Sequence, residues 1–141
     1  MNKPNWQLLT TVSVPAKPSG LWTLAWDYVA GPKKLKIEAK ATESWTYAPP
    51  PASPCTGDGD PRAALDRARC LCPDAPVGAL IGKIGGSTGG IKDGQIFVAG
   101  QLCVMDLADT VKGVLLLTIN DEVAGFAENT GALSVSIYEA L

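Results

Sequence analysis

Hydrophobic and polar residues alternate most clearly over residues 35–47. Leu35, Ile37, Ala39 and Ala41 fall on one face, and Lys36, Glu38, Lys40 and Thr42 on the other. Successive side chains of a strand point to opposite faces, so this period of two predicts an antiparallel strand with one wet face. The same period returns over 132–141, with Leu133, Val135 and Ile137 inward and Ser134, Ser136 and Tyr138 outward. Further strands are predicted at 6–15, at 21–29 ("LWTLAWDYV") and at 78–86 ("GALIGKIGG"), with two short extended pieces within 95–107. The apolar run 113–120 ("GVLLLTIN") reads as a strand buried on both faces. Turn chemistry such as "AGPKK" and "STGGIKDG" separates these segments. About eight short strands at turn-bounded intervals predict an all-β sandwich.

Residues 48–77 break the pattern. "APPPASPCTGDGDP" is not expected to pair as a strand, because proline lacks the donor and glycine favours turns. Asp60-Pro61 then reads as an N-cap followed by proline at the first helical position, and "RAALDRARC" continues as one short surface helix. A loop of this length is either functional or an insertion covering a sheet edge.

The chain has 141 residues, enough for one domain with its own core, and is taken as a single domain over 1–141. Its 46% hydrophobic and 18% charged content fits a folded protein. A net charge of −2 gives no electrostatic footprint for nucleic acid. There is no histidine, which excludes Ser-His-Asp and Cys-His catalysis and any histidine-held metal. No apolar run reaches the length of a membrane span. The first twenty residues lack the apolar core and cleavage site of a signal peptide. The expectation is a soluble protein made in the cytoplasm, with release to the cell surface or exterior by another route left open.

Four cysteines are present. Cys70 and Cys72 stand too close together for a zinc knuckle. A disulfide from Cys55 to Cys70 or Cys72 and free thiols, Cys103 included, both remain open. "GKIGGSTGG" lacks the order of a phosphate-binding loop and reads as a glycine-rich turn. Trp6, Trp22, Trp26 and Trp45 are read as core or subunit-contact residues, with sugar stacking as the alternative. "DGDP" at 58–61 lacks the further oxygen ligands of a calcium loop, but Asp58 and Asp60 could lend a side chain to a site formed elsewhere.

"INDEVAGFAENTG" (119–131) carries the most chemistry. Asp121 follows an apolar strand, and Glu128 and Asn129 precede the next one. If the segment is a hairpin, its ends converge, and two carboxylates and an amide meet at one point. Gly125 lets the backbone turn and offer its carbonyl. Calcium takes six to eight oxygen ligands of these types. A solvated acidic hairpin uses the same residues without a metal, and both readings stand on the sequence.

From about residue 10 onward the chain resembles the LecA-type family (PA-I galactophilic lectin-like), bacterial calcium-dependent galactose-binding lectins. The resemblance lies in "TYAP" at 46–49, "DAPVGALIGKIGGS" at 74–87 and "GVLLLTINDEVAGFAENTGALSVSI" at 113–137. It implies a small jelly-roll β-sandwich of the galactose-binding-domain type. It also implies a Ca2+ ion held by the carbonyl of Tyr47, the carboxylate of Asp121, the carbonyl of Gly125, and Glu128 and Asn129. The sugar contacts it implies fall on Asp121, Glu122, Gly125 and Glu128, with the ion bridging two vicinal sugar hydroxyls, and it implies assembly as a tetramer.

Four positions depart from the family pattern. Glu128 stands where the family has asparagine, which adds charge toward calcium and removes an amide donor toward a sugar hydroxyl. Gly125 stands in place of a threonine. The family's sugar-contacting histidine and glutamine have no counterpart, and Asp58 and Asp60 are the candidates to replace them. The reading that follows is a non-catalytic, calcium-dependent lectin for a galactoside-like carbohydrate. The second reading is a structural or protein-interaction module of the same fold, with or without calcium. The third is a hydrolase, for which Asp121 and Glu128 would already be engaged by metal.

Overall fold

The computed structural model describes residues 5–47, 54–60, 70–91 and 93–140. Among these residues ten strands build two antiparallel sheets. The first sheet runs β1 (Trp6–Pro15), β10 (Thr130–Ala140), β3 (Lys33–Ala39), β8 (Leu102–Leu107), and β4 (Trp45–Thr46) pairs with the start of β10. In the second, β2 (Thr23–Ala30) lies beside β9 (Lys112–Ile119), which lies beside β6 (Val77–Ile84). The far edge of β6 is shared: β5 (Asp58–Asp60) takes its first part and β7 (Gln95–Val98) its second. The fold is an all-β sandwich, as the alternation predicts. Among the described residues no helix is long and apolar enough to cross a membrane.

The core lies between the sheets. Leu35 and Ile37 of β3 and Leu133, Val135 and Ile137 of β10 are fully buried, while their polar neighbours face outward. β6 is buried at all eight positions because β9 flanks it on one side and β5 and β7 on the other. Removing a Leu or Ile side chain of this kind from water is worth about 1.5–3 kcal/mol, so the inward rows hold the sheets together.

Four expectations are corrected. The strand predicted over 35–47 ends at Ala39. Lys40 and Glu43 close a turn, and Ala41, expected inward, is exposed. Once the chain turns, period two no longer fixes the face. Chain that "DGDP" was expected to keep out of a sheet does pair: Asp58 stands opposite Ala79 and Asp60 opposite Val77. Gly59 makes this possible with φ +77, where a β-carbon would meet the Ala79 nitrogen at 2.6 Å. The segment 120–129 is not a hairpin. β9 and β10 belong to different sheets, and the chain crosses the end of the sandwich through a short 3-10 helix, Val123–Glu128, anchored by buried Phe126. Among the described residues the strands number ten, against about eight expected. The helix expected after Asp60 lies at 61–69, outside the described residues.

No disulfide joins the four cysteines, and Cys55, Cys70 and Cys72 are buried. Trp22 and Trp45 are core residues, at 2% and 1% exposure, which removes them as a stacking platform.

Lys83 explains the glycine-rich turn. Its side chain is fully buried, and its ammonium donates to the carbonyls of Ser87 (2.8 Å) and Gly90 (3.0 Å) and to Asp93 Oδ1 (2.7 Å). The Trp22 ring lies 4.6 Å from it. A buried ammonium needs this shell, and glycine lets the backbone supply it at close range.

Candidate metal and ligand site

The sequence brings the site together by ending two strands and pinning a third. β9 finishes at Ile119, and Asn120 and Asp121 continue into the interior at 0% and 1% exposure. The 3-10 helix then carries the chain across the end of the sandwich, and Asn129 enters the other sheet at 2% exposure. Tyr47 arrives from elsewhere. β4 pairs with β10 through Trp45 opposite Gly131 and Thr46 opposite Thr130, so Tyr47 comes one residue past the pair that precedes Asn129, near enough for its ring to feel the Asp121 charge. Trp45 holds that strand in place. Its backbone pairs with Cys55, and its indole Nε1 donates to the Gly78 carbonyl at 2.7 Å.

Asp121 Oδ1 accepts the Glu122 backbone N–H at 2.8 Å. Asp121 Oδ2 is buried and has no hydrogen-bond partner among the described residues. Asn129 is in the same state. Its amide Nδ2 donates to the Ala16 carbonyl at 3.1 Å, which turns the chain and leaves Oδ1 buried and unpartnered. Burial pushes the Asp121 carboxyl above the usual range; the Asn129 amide and the Glu122 N–H draw it partly back, and the Glu122 charge raises it again. Gly125 lies against the carboxylate: a β-carbon there would stand 2.9 Å from Oδ2 and 3.1 Å from Oδ1. Asp121, Gly125, Asn129 and, one residue past β4, Tyr47 therefore share one end of the sandwich.

The other candidates are placed differently. Glu128 is exposed, beside Asn129 in the chain, and Glu122 is half-buried. Asp60 Oδ2 accepts the Tyr47 hydroxyl at 2.9 Å, so Asp60 borders the site through that ring. Burial, then the Asp60 bond and charge, push the Tyr47 phenol up to about 12. Asp58 Oδ1 instead accepts the Gln101 N–H at 2.9 Å and fixes the turn between β7 and β8. Among the described residues no three cysteine, aspartate or glutamate side chains come together. The Asp121 cluster offers one carboxylate, one amide oxygen and backbone carbonyls, an all-oxygen donor set that suits a hard cation.

Two elements were not singled out in the sequence. One is Ala16, whose carbonyl orients Asn129; nothing local marks it. The other is Asn120, a fully buried amide closing the apolar run "GVLLLTIN", and a polar residue at such a strand end is a readable signal.

No model of a known protein family matches the sequence, and no curated protein matches it. Among solved structures, the fold is similar to that of the EclA N-terminal domain, a PllA-like lectin, with a TM-score of 0.67 at 17% identity, over 94% of this chain and 97% of that one. At that identity the likeness establishes one thing, that this chain shares the two-sheet β-sandwich of a lectin domain.

Proposed function

We propose that the protein is a non-enzymatic, calcium-dependent carbohydrate-binding protein. The observation that carries this reading is the pair of buried oxygens, Asp121 Oδ2 and Asn129 Oδ1, that find no hydrogen-bond partner among the described residues, at one end of the fold. A buried polar atom left unmade costs about 1–3 kcal/mol, and a buried carboxylate more, so two such acceptors in one cluster need a partner. A divalent cation satisfies both at once. Asp121 and Asn129 would hold it by side chain, and Tyr47 and Gly125 by backbone carbonyl. Bound there, Ca2+ supplies open coordination positions for two vicinal sugar hydroxyls. The likeness to a lectin domain supports the sugar.

The chain's own residues do the rest. Asp121 accepts a hydrogen bond from a sugar hydroxyl, and exposed Glu128 offers a second acceptor beside it. Asp60 and the Tyr47 ring form the near wall. A galactoside is the first sugar to test. Single sites of this kind are weak, and assembly as a tetramer would add avidity.

A second reading is favoured by Asp58, which is committed to Gln101 and leaves one acid fewer for a sugar. In that reading the ion only rigidifies the corner between the sheets. Thermal melting with Ca2+ and with a chelator, followed by a glycan array under both conditions, separates the two. A melting shift with calcium-dependent glycan binding supports the lectin. A shift with no glycan bound supports the structural module. No shift rejects the metal site.

A further inference from the structure

Asp121 does not hold its position alone. The residue before it, Asn120, is fully buried, and each of its polar atoms is engaged. Its backbone N–H donates to the Ala79 carbonyl at 2.7 Å, and its carbonyl accepts from Gly78 at 2.8 Å, which fixes it to β6. Its side chain faces the segment 70–76. Oδ1 accepts the Cys72 N–H at 2.9 Å. Nδ2 donates to the carbonyls of Cys72 (2.9 Å), Ala75 (3.1 Å) and Pro76 (3.1 Å). One carboxamide thus closes a loop of backbone around itself.

That loop lies directly over the site residues. Leu71 N–H donates to the Asp121 carbonyl at 3.2 Å, and Cys70 forms a β-bridge with Glu122. Cys70, Leu71, Cys72 and Ala75 are all buried. The segment therefore grips the backbone of the very residue whose carboxylate is withheld from solvent.

We infer that Asn120 is the positioning residue of the cation site: its carboxamide clamps the strap 70–76 across Asp121 and Glu122, fixing the Asp121 carboxylate and excluding water from its inner side. This rests on the reading of Asp121 as a cation ligand. The physical reason is specific to the amide. Three carbonyls and one N–H must be met together, and only a side chain with both donors and an acceptor does so. Removing it leaves several buried backbone groups unmade, and the strap is then free to lift. Outer partners of a metal ligand typically change affinity by about 10–100-fold when lost.

The test uses Tb3+ as the probe for the cation, read by luminescence titration and by lifetimes in H2O and D2O, which count the waters on the ion. Asn120→Ser is expected to weaken Tb3+ binding by about tenfold or more and to increase the number of bound waters. A residue with only a role in folding would lower the melting temperature and leave the water count of the folded fraction unchanged. That outcome overturns the inference. Wild-type protein supplies a second measurement that needs no variant. Coupling is reciprocal, so adding Tb3+ must slow hydrogen exchange at the Leu71 and Cys72 amides. Unchanged exchange at both, with Tb3+ bound, also overturns the clamp. If wild-type protein binds no Tb3+, the reading of the site itself fails, and the clamp falls with it.

Discussion

The Asp121 carboxylate occupies the space where a side chain at residue 125 would stand. A β-carbon on Gly125 would lie 2.9 Å from Oδ2, 3.1 Å from Oδ1 and 3.3 Å from Cγ, closer than a methyl and a carboxylate can settle. The glycine is needed for close approach and not for an unusual backbone angle, since its φ is not in the left-handed region. Gly125→Ala is therefore expected to leave the sandwich folded and to push the carboxylate off its position. Calorimetric titration with Ca2+ should show affinity lowered by about tenfold or more. Unchanged affinity would mean that Asp121 does not anchor an ion.

Replacing Asp121 itself separates apo from loaded protein. A buried, incompletely partnered carboxylate costs stability when no cation is present. Asp121→Asn removes the charge and can keep the bond from Glu122, so without calcium it is expected to melt no lower than wild type. Wild-type protein at a hundredfold excess of Ca2+ over Kd should gain about 2.7 kcal/mol, on the order of 10 °C for a domain of this size. The variant should gain little. Scanning calorimetry with and without calcium checks both signs, and an equal gain in the variant would reject Asp121 as a ligand.

The sandwich was legible wherever one face of a strand is dry and the other wet. Leu133, Val135 and Ile137 declare their face by period alone, and the structure buries all three. The paired Asp58–Asp60 was hidden, because glycine and aspartate are the vocabulary of turns and only the neighbour β6 turns them into a strand. The corner 120–129 reads as a hairpin for a related reason: a hairpin and a crossing between sheets use the same local residues, and the choice depends on where β10 finds its partners. At the site, the types of Asp121 and Asn129 could be read from the sequence. Their meeting is also predicted, but through a hairpin; the structure reaches it by a crossing between sheets, with Asn129 oriented by the Ala16 carbonyl more than a hundred residues away. The sequence shows Asn120 only as the tail of an apolar strand, although its bonds to 72–76 decide how the neighbouring aspartate is held.

Lys83 and Asp93 make a second prediction set, away from the site. Lys83→Met keeps the length of the side chain but leaves two carbonyls and a carboxylate without their donor. The loss is expected to be roughly 3 kcal/mol by denaturant melting, since bonds to a charged group are worth more than neutral ones. The pH dependence follows from Asp93. The Lys83 bond, with the Ser87 bonds behind it, holds its carboxyl below the ordinary 3.8 against the opposing effect of burial. A lowered folded pKa means that the contribution is present above the unfolded value and is lost as pH falls through the folded one. Wild-type stability should therefore drop below about pH 4. Asp93→Asn should flatten that limb, and an identical acid limb in the variant would show that Asp93 does not contribute to it.

Tyr47 ties the backbone that follows β4 to the loop strand β5, and its ionisation reports on that tether. Burial is the larger cause of its raised pKa, and the bond to Asp60 comes next. A raised folded value means that the contribution holds below the unfolded pKa of 10.0 and is lost as pH climbs from there to about 12. An absorbance titration should show one tyrosinate step near pH 12 that Tyr47→Phe removes. Asp60→Asn should bring the step part of the way down, because burial remains. A step unmoved by that change would assign the whole shift to burial and leave the tether without energetic weight. The same two variants bear on the cation. Tyr47→Phe keeps the carbonyl and the ring but frees the ring from Asp60, so Ca2+ affinity should fall in both variants alike. A fall in Asp60→Asn alone would make Asp60 a contributor through its charge, and not through the ring that it holds.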